Sequence, residues 1–493
     1  MKLKSVALVS LAAMMLTSVT VWSLTPVAGT GAIAEPLVSL GGSEEPVQVA
    51  KGDAWSFVDG RTLTVEGRLG HATLAAGREN ETFLFVDVKA AAGVVPREAP
   101  PLELAIVIDR SGSMSGKRLA NAIAAARGMV SGLREGDVVS VTAYDDRSEL
   151  LVSPTTIASF NRSDVLRRID SLVAGGNTCI SCGLESSMSQ LATRDDMVKR
   201  IVLLSDGEPT AGVRDVRGFA TLAERARNLG ASISAIGVDV DYNERIMSQI
   251  ARGSNGRHTF VADPAQLAAV FDEEQRSLSN TIATGAELKV ELARGVEVLE
   301  VFDRAFSRQG DALVVPMGSF DMTDDKTLLV RVRIPRGTED TQAVAEVKLT
   351  FRDHVTGEPG SCAGSLVAQL TRDASKVSPL DPFVAGRVER SETAALLLEA
   401  NQRFADGDGD GARRLVEQKR TALKKVAADA AGRAPAPRKA EVDNDFERQD
   451  DALAQATEGF SVAPPSAAAA PADVQRGKAA IKRNSAASDA FAF

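Results

Sequence analysis

The chain has 493 residues, 44% hydrophobic and 25% charged, which is enough for a globular protein of two or three domains. A net charge of -9 and a pI near 5.2, with no basic patch, argue against a nucleic-acid partner. Aromatic residues make up only 4%, too few for base-stacking platforms or tryptophan-lined carbohydrate sites.

The first predicted element is a targeting segment. Lys2 and Lys4 precede an uncharged, mostly apolar stretch from Ser5 to Leu24, and Ala28, Ala32 and Ala34 offer cleavage points before Glu35. That is the layout of a secretory signal peptide over residues 1–34. An uncleaved anchor is the alternative, because the stretch approaches the length of a membrane span. No cysteine follows the apolar run, which excludes a lipoprotein, and the sequence has no second long apolar segment. The expectation is an exported protein of the periplasm or the exterior, free or associated with the envelope, with no transmembrane span in its mature form.

Residues 35–100 read as β structure. Leu63 and Val65 alternate with polar neighbours, and FLFVDVK (83–89) alternates after a turn signal at Gly77.

From residue 102 to about 278 short apolar runs alternate with helical patterns. LELAIVIDRSGSM (102–114) ends its apolar run at Asp109 and then places hydroxyls at Ser111 and Ser113. Leu119, Ile123, Ala126, Val130 and Leu133 follow at helical spacing, then a strand at Val138, Val139 and Val141. GGNTCISCGL (175–184) carries Thr178, and IVLLSDGEPT (201–210) carries Asp206, again where an apolar run ends. Helices around Leu184 and Phe219, ASISAIGV (231–238), HTFV (258–261) and a last helix through Leu267 and Phe271 complete the series. Strand alternating with helix predicts a mostly parallel sheet covered on both faces, with ligands bound beyond the carboxyl ends of the strands. Two carboxylates and three hydroxyls at strand-to-helix junctions supply the oxygen ligands that a hard divalent cation needs.

These three motifs, in this order, resemble a von Willebrand factor A domain with a metal-ion-dependent adhesion site. The resemblance implies a Rossmann-like domain over residues 101–280. It implies that Ser111 and Ser113 coordinate the ion directly, that Thr178 does so directly or through a water, and that Asp109 and Asp206 act mainly through water and by hydrogen-bonding the hydroxyls. The implied ion is Mg²⁺, with Mn²⁺ or Ca²⁺ as the alternatives. Mg²⁺ takes an octahedral set of oxygens and gives up its waters reluctantly. Neutral hydroxyl ligands leave most of its charge uncompensated, so an Asp or Glu of a protein partner can take the open position.

Cys179 and Cys182 form C-x-x-C directly after Thr178, and Cys362 lies far away. A zinc site would need about four ligands, and His71, His258 and His354 are scattered. Three states stay open: a Cys179–Cys182 disulfide, free thiols, or pairing with Cys362. In an exported chain the close i, i+3 disulfide is plausible on spacing.

Residues 281–375 return to β patterns: Leu288, Val290 and Leu292; LVV (313–315); LLVRVRI (328–334); and Val347, Leu349 and Phe351. Neither flank has enough strands by itself, so the expected fold class is α/β, with the A domain inserted into one β-sandwich built from both flanks. Two separate β modules are the alternative. This layout resembles the inter-alpha-trypsin inhibitor heavy chains. Residues 376–430 predict a helical hairpin turning on DGDGDGARRLVE (406–417). That turn fits a calcium loop at Asp406, Asp408, Asp410, Gly411 and Glu417, although Arg413 stands where such loops place an aliphatic residue, and a plain hairpin is the other reading. From residue 431 to 493 the Ala- and Pro-rich composition predicts a mostly disordered tail with one short helix near Phe446–Leu453.

No Gly-x-Ser-x-Gly elbow, His-Glu-x-x-His or phosphate loop occurs in the sequence. The expected function is therefore a non-enzymatic, divalent-metal-dependent protein-binding module for adhesion or assembly. An accessory subunit of an ATPase or metal-insertion complex is the alternative.

Overall fold

A computed structural model describes residues 55–96, 99–191, 196–239, 241–338, 340–465 and 471–492. The expected signal peptide lies outside these residues. Among the described residues no helix is long and apolar enough to cross a membrane.

The N-terminal flank forms β1 (Ser56–Gly60), β2 (Leu63–Leu69), β3 (Thr73–Ala75) and β4 (Asn80–Ala90). A central α/β domain follows: β5 (Leu102–Asp109), α1 (Lys117–Gly132), β6 (Val138–Tyr144), β7 (Ser148–Thr156), α2 (Arg162–Asp170), α3 (Ile180–Ser189), β8 (Val198–Ser205), α4 (Val216–Asn228), β9 (Ala231–Val238), α5 (Glu244–Gly253), β10 (His258–Val261) and α6 (Leu267–Ser279). Its sheet runs β10-β9-β8-β5-β6-β7, parallel except for the β6–β7 pair. Every residue of β5, β8 and β9 is buried, as expected of strands covered on both faces. One face packs Ile106, Val141 and Leu204 against Ala126, Val130 and Phe271 of α1 and α6. The other packs Val107, Leu203 and Ile233 against Leu184, Phe219 and Ile250 of α3, α4 and α5.

The second flank supplies β11 (Thr281–Leu292), β12 (Glu297–Phe302), β13 (Ser307–Gln309), β14 (Ala312–Asp321), β15 (Asp325–Ile334), β16 (Thr341–Asp353) and β17 (Pro359–Thr371). These strands pair directly with the first flank. β4 runs antiparallel to β15 from Asn80↔Ile334 to Lys89↔Asp325, and β3 runs parallel to β17. The resulting sheets are β1-β2-β4-β15-β12 and β13-β14-β11-β16-β17-β3. Leu84, Val86, Leu328 and Val330 of the first share one core with Leu288, Val290, Val347 and Leu366 of the second.

The chain ends in four long helices, α7 (Pro382–Ala405), α8 (Gly409–Arg433), α9 (Lys439–Gly459) and α10 (Pro471–Ala492). Val384 of α7 covers Phe85 and Leu329 on the outer side of the first sheet, so β4 and β15 are buried on both faces. The expected hairpin with a disordered tail is corrected here. α8 extends to Arg433, and α9 and α10 occupy most of residues 439–492. Composition misled because alanine is the strongest helix former, while Val442, Phe446, Leu453, Ala456 and Phe460 form an apolar stripe that packs against Leu397, Phe404, Val416 and Leu423.

Candidate metal centre

Asp109 closes β5, Ser205 closes the adjacent parallel strand β8, and Asp206 follows directly after it. From β5 the sheet continues to β6 on one side and to β8 on the other. The carboxyl ends of β5 and β8 therefore flank a point where the strand order reverses, the place at which α/β sheets bind ligands. Both carboxylates are fully buried, at 0% exposure. Their oxygens are met by donors of the chain: Ser111 N–H donates to Asp109 Oδ1 at 2.8 Å, and Ser205 Oγ donates to Asp109 Oδ2 at 2.7 Å. Ser113 Oγ donates to Asp206 Oδ1 at 2.7 Å and stands 3.0 Å from Ser111 Oγ.

Thr178 arrives from the loop before α3. Its N–H donates to Thr210 Oγ1 at 2.9 Å, and its carbonyl accepts from Thr210 N–H at 2.9 Å and Ala211 N–H at 3.2 Å. A Cβ added to Gly207 would lie 3.5 Å from Thr178 Oγ1 and 3.7 Å from Ser113 Oγ, so the two hydroxyls face one patch. Gly176 fastens the same loop, its carbonyl accepting from Gly112 N–H at 3.1 Å. Its φ of 79° and its approach to Asp145 and Asp146 leave no room for a side chain. Immediately after Thr178, Cys179 and Cys182 are joined by a disulfide with a Cα–Cα distance of 5.3 Å, while Cys362 is free and buried between the flanking sheets.

Burial raises the Asp109 carboxyl to about 6, against the opposing hydrogen bonds from Ser111 and Ser205. Burial also raises Asp206, opposed by the Ser113 hydroxyl and by Arg118. Two poorly solvated carboxylates behind a layer of hydroxyls form an environment that a cation would stabilise. The donor set of hydroxyl and carboxylate oxygens suits a hard divalent ion. Ser111, Ser113 and Thr178 would hold it, with Asp109 and Asp206 behind them, and it would supply electrostatic attraction for an anion.

The structure thus brings Asp109, Ser111, Ser113, Thr178 and Asp206 together. It also shows partners that sequence reading missed. Ser205 holds Asp109, and Arg118 Nη1 reaches both Asp206 Oδ2 at 3.1 Å and the Ser113 carbonyl at 2.9 Å. Arg118 Nε donates to Asp239 Oδ2 at 3.1 Å. Asp239 had a legible signal, because it ends an apolar run as Asp109 and Asp206 do. Arg118 had none, reading as a surface position of α1.

The proposed calcium loop is not a loop. α8 begins at Gly409, with Asp408 as its N-cap accepting from Gly411 N–H at 2.8 Å. Asp410 pairs with Arg413, and Glu417 stands on the helix about 12 Å along the axis from Gly409. Asp406, Asp408, Asp410 and Glu417 therefore do not surround a common point. Among the described residues no group of three or more His, Cys, Asp or Glu side chains is placed to hold a metal.

The sequence profile of the von Willebrand factor type A domain matches residues 103–273, the span that the central sheet and its helices occupy. The central domain is a von Willebrand factor type A domain. Over 269 residues the chain is 26% identical to the uncharacterized protein sll0103 of Synechocystis sp., covering 52% of this chain and 63% of that one. It is 30% identical over 222 residues to the uncharacterized protein YfbK of Escherichia coli, covering 44% and 38%. The chain thus spans less than two thirds of either relative. Among solved structures, a von Willebrand factor type A protein from Catenulispora acidiphila aligns over 81% of this chain and 92% of its own, with TM-score 0.66 at 18% identity. The ArnB paralog VWA2 from Sulfolobus acidocaldarius aligns over 88% and 100%, with TM-score 0.58 at 18% identity. At that identity the likeness is one of fold, and it reaches beyond the A domain into its flanks.

Proposed function

We propose that this chain is a non-enzymatic protein-binding module whose A domain holds Mg²⁺ and captures an acidic side chain of a partner. The observation that carries the reading is the pair of fully buried carboxylates at the sheet's reversal point, Asp109 bonded to the Ser205 hydroxyl and Asp206 to the exposed Ser113 hydroxyl, with Ser111 Oγ 3.0 Å from Ser113 Oγ. In this reading Ser111, Ser113 and Thr178 are the direct ligands. The two aspartates orient the hydroxyls and the bound waters. The ion's incompletely neutralised charge attracts the partner's Asp or Glu, and no bond is broken. We read the two flanking sheets as one β-sandwich interrupted by the A domain, because their strands pair across the interruption. Export is supported by residues 1–34 and by the Cys179–Cys182 disulfide, which an oxidising compartment favours.

The test is Asp109→Ala. Titration calorimetry with Mg²⁺ should show binding by the wild-type chain and none by the variant, with circular dichroism unchanged because Asp109 ends its strand. EDTA should release captured envelope protein from the wild type. Mg²⁺ binding of equal strength by a folded variant would sink the proposal.

A further inference from the structure

Helix α10 has two occupied faces. One lies against α7, where Asn401 Nδ2 donates to the Ile481 carbonyl at 3.0 Å and Ser488 Oγ donates to the Ala394 carbonyl at 3.0 Å. The other meets the A domain through polar groups. Asp489 accepts from Ser248 Oγ at 2.7 Å and Arg252 Nε at 2.8 Å, and stands 2.7 Å from His258 Nδ1. Lys482 Nζ donates to the Tyr242 carbonyl at 2.5 Å, pairs with Glu244 and lies 4.6 Å from the Tyr242 ring centroid. Lys478 meets Asp241 at 2.8 Å. Lys482 and Asp489 are both buried, and each is paired with a group of opposite charge on the A domain.

Three of these anchors, Asp241, Tyr242 and Glu244, follow closely on Asp239. Asp239 has a φ of 65°, in the left-handed region that L side chains seldom adopt, and its N–H donates to the Val261 carbonyl at 2.9 Å. Its carboxylate takes Arg118, and Arg118 takes Asp206. Polar contacts and a short stretch of chain thus connect α10 to the candidate metal centre.

We propose that Arg118 and Asp239 are positioning residues of that centre, and that docking of α10 sets its cation affinity through them. The inference rests on the reading of the site as a divalent-cation centre. Arg118 is a fixed cation beside a place that receives another. With Asp241, Tyr242 and Glu244 clamped by α10, Asp239 shares the guanidinium through Nε at 3.1 Å, so that Asp206 holds it by Nη1 alone. When the clamp opens, Asp239 loses its share, the whole guanidinium falls to Asp206, and Arg118 competes more strongly with the ion. By linkage, a bound ion favours the docked helix by the same factor.

The experiment is Mg²⁺ titration calorimetry on the full chain, with Mg²⁺ as the only ligand. Lys482→Gln, Lys478→Ala and Asp239→Asn should each weaken binding about fivefold or more, and Arg118→Gln should strengthen it. In the Arg118→Gln background Lys482→Gln should have no further effect, because the route has been removed. Hydrogen exchange across residues 478–491 should slow on adding Mg²⁺ to the wild type and stay unchanged in Arg118→Gln. Lys478→Ala, at a half-exposed pair, keeps the test valid if Lys482→Gln fails to fold. Equal weakening by Lys482→Gln with and without Arg118 would overturn the inference. Unchanged affinity in every variant would overturn it too, while leaving the cation site standing. Absence of Mg²⁺ binding by the wild type would remove both.

Discussion

Asp109 shows how a buried carboxylate becomes part of a site rather than a defect. Each of its oxygens has one short, well-placed donor, the Ser111 N–H and the Ser205 hydroxyl. Ser205→Ala therefore strips Oδ2 of its partner at a position with no access to water, while changing side-chain volume little. A buried acceptor left unmade costs about 1–3 kcal/mol. The expected outcome is a loss of that size in urea denaturation with EDTA present, and a weaker Mg²⁺ titration besides. Unchanged stability would mean that solvent reaches Asp109 after all. Ser205 also marks where the sequence stopped being informative. Asp109, Ser111, Ser113, Thr178 and Asp206 were legible because each follows an apolar run or lies in a loop of a recurring motif. Ser205 sits inside the apolar run IVLLS and looks like filler. Arg118 matters only through the distance from α1 to the end of β9, which no local pattern encodes.

At the level of elements, legibility followed burial. β5, β8 and β9 read clearly because strands covered on both faces are unbroken apolar runs. The flanking strands read as alternating, yet FLFVDVK is buried at Phe85 as well as at Leu84 and Val86, because α7 covers the outer side of its sheet. That covering depends on a helix roughly three hundred residues downstream, and the pairing of β4 depends on β15, another element remote in sequence. α9 was misjudged for a related reason. Its stripe is diluted by Asp, Glu and Arg on the exposed faces, so average composition resembled a solvated tail, whereas the period of the apolar residues carried the information. Leu453 tests the correction. It is fully buried among α9's neighbours, and truncation to alanine should cost about 2–5 kcal/mol, as for a leucine in a packed core. Chemical denaturation followed by far-UV circular dichroism measures it. A loss within about 0.5 kcal/mol, the range of surface substitutions, would return the segment to the disordered class.

For the whole molecule, what matters is how three kinds of structure meet. The A domain is continuous with the β flanks at both of its ends, and the helices cover one flanking sheet before α10 returns to the A domain. That last contact turns on Asp489. Burial alone would raise its carboxyl, but the hydrogen bond with His258 and the charge of Arg252 outweigh burial and hold it below the ordinary carboxylate range. A carboxyl depressed in the folded state contributes stability that is fully present above its unfolded value, about 3.9, and is lost as pH falls through the lower folded value. Thermal denaturation of the wild type against Asp489→Asn isolates this contribution from the other carboxylates, which titrate alike in both proteins. The wild type should melt higher at neutral pH, and the margin should close fully only below about pH 4. A margin that already closes near pH 6 would mean that the helix is held by a group other than the Asp489 carboxylate. A margin of zero at every pH would mean that α10 rests on the A domain without being fastened to it.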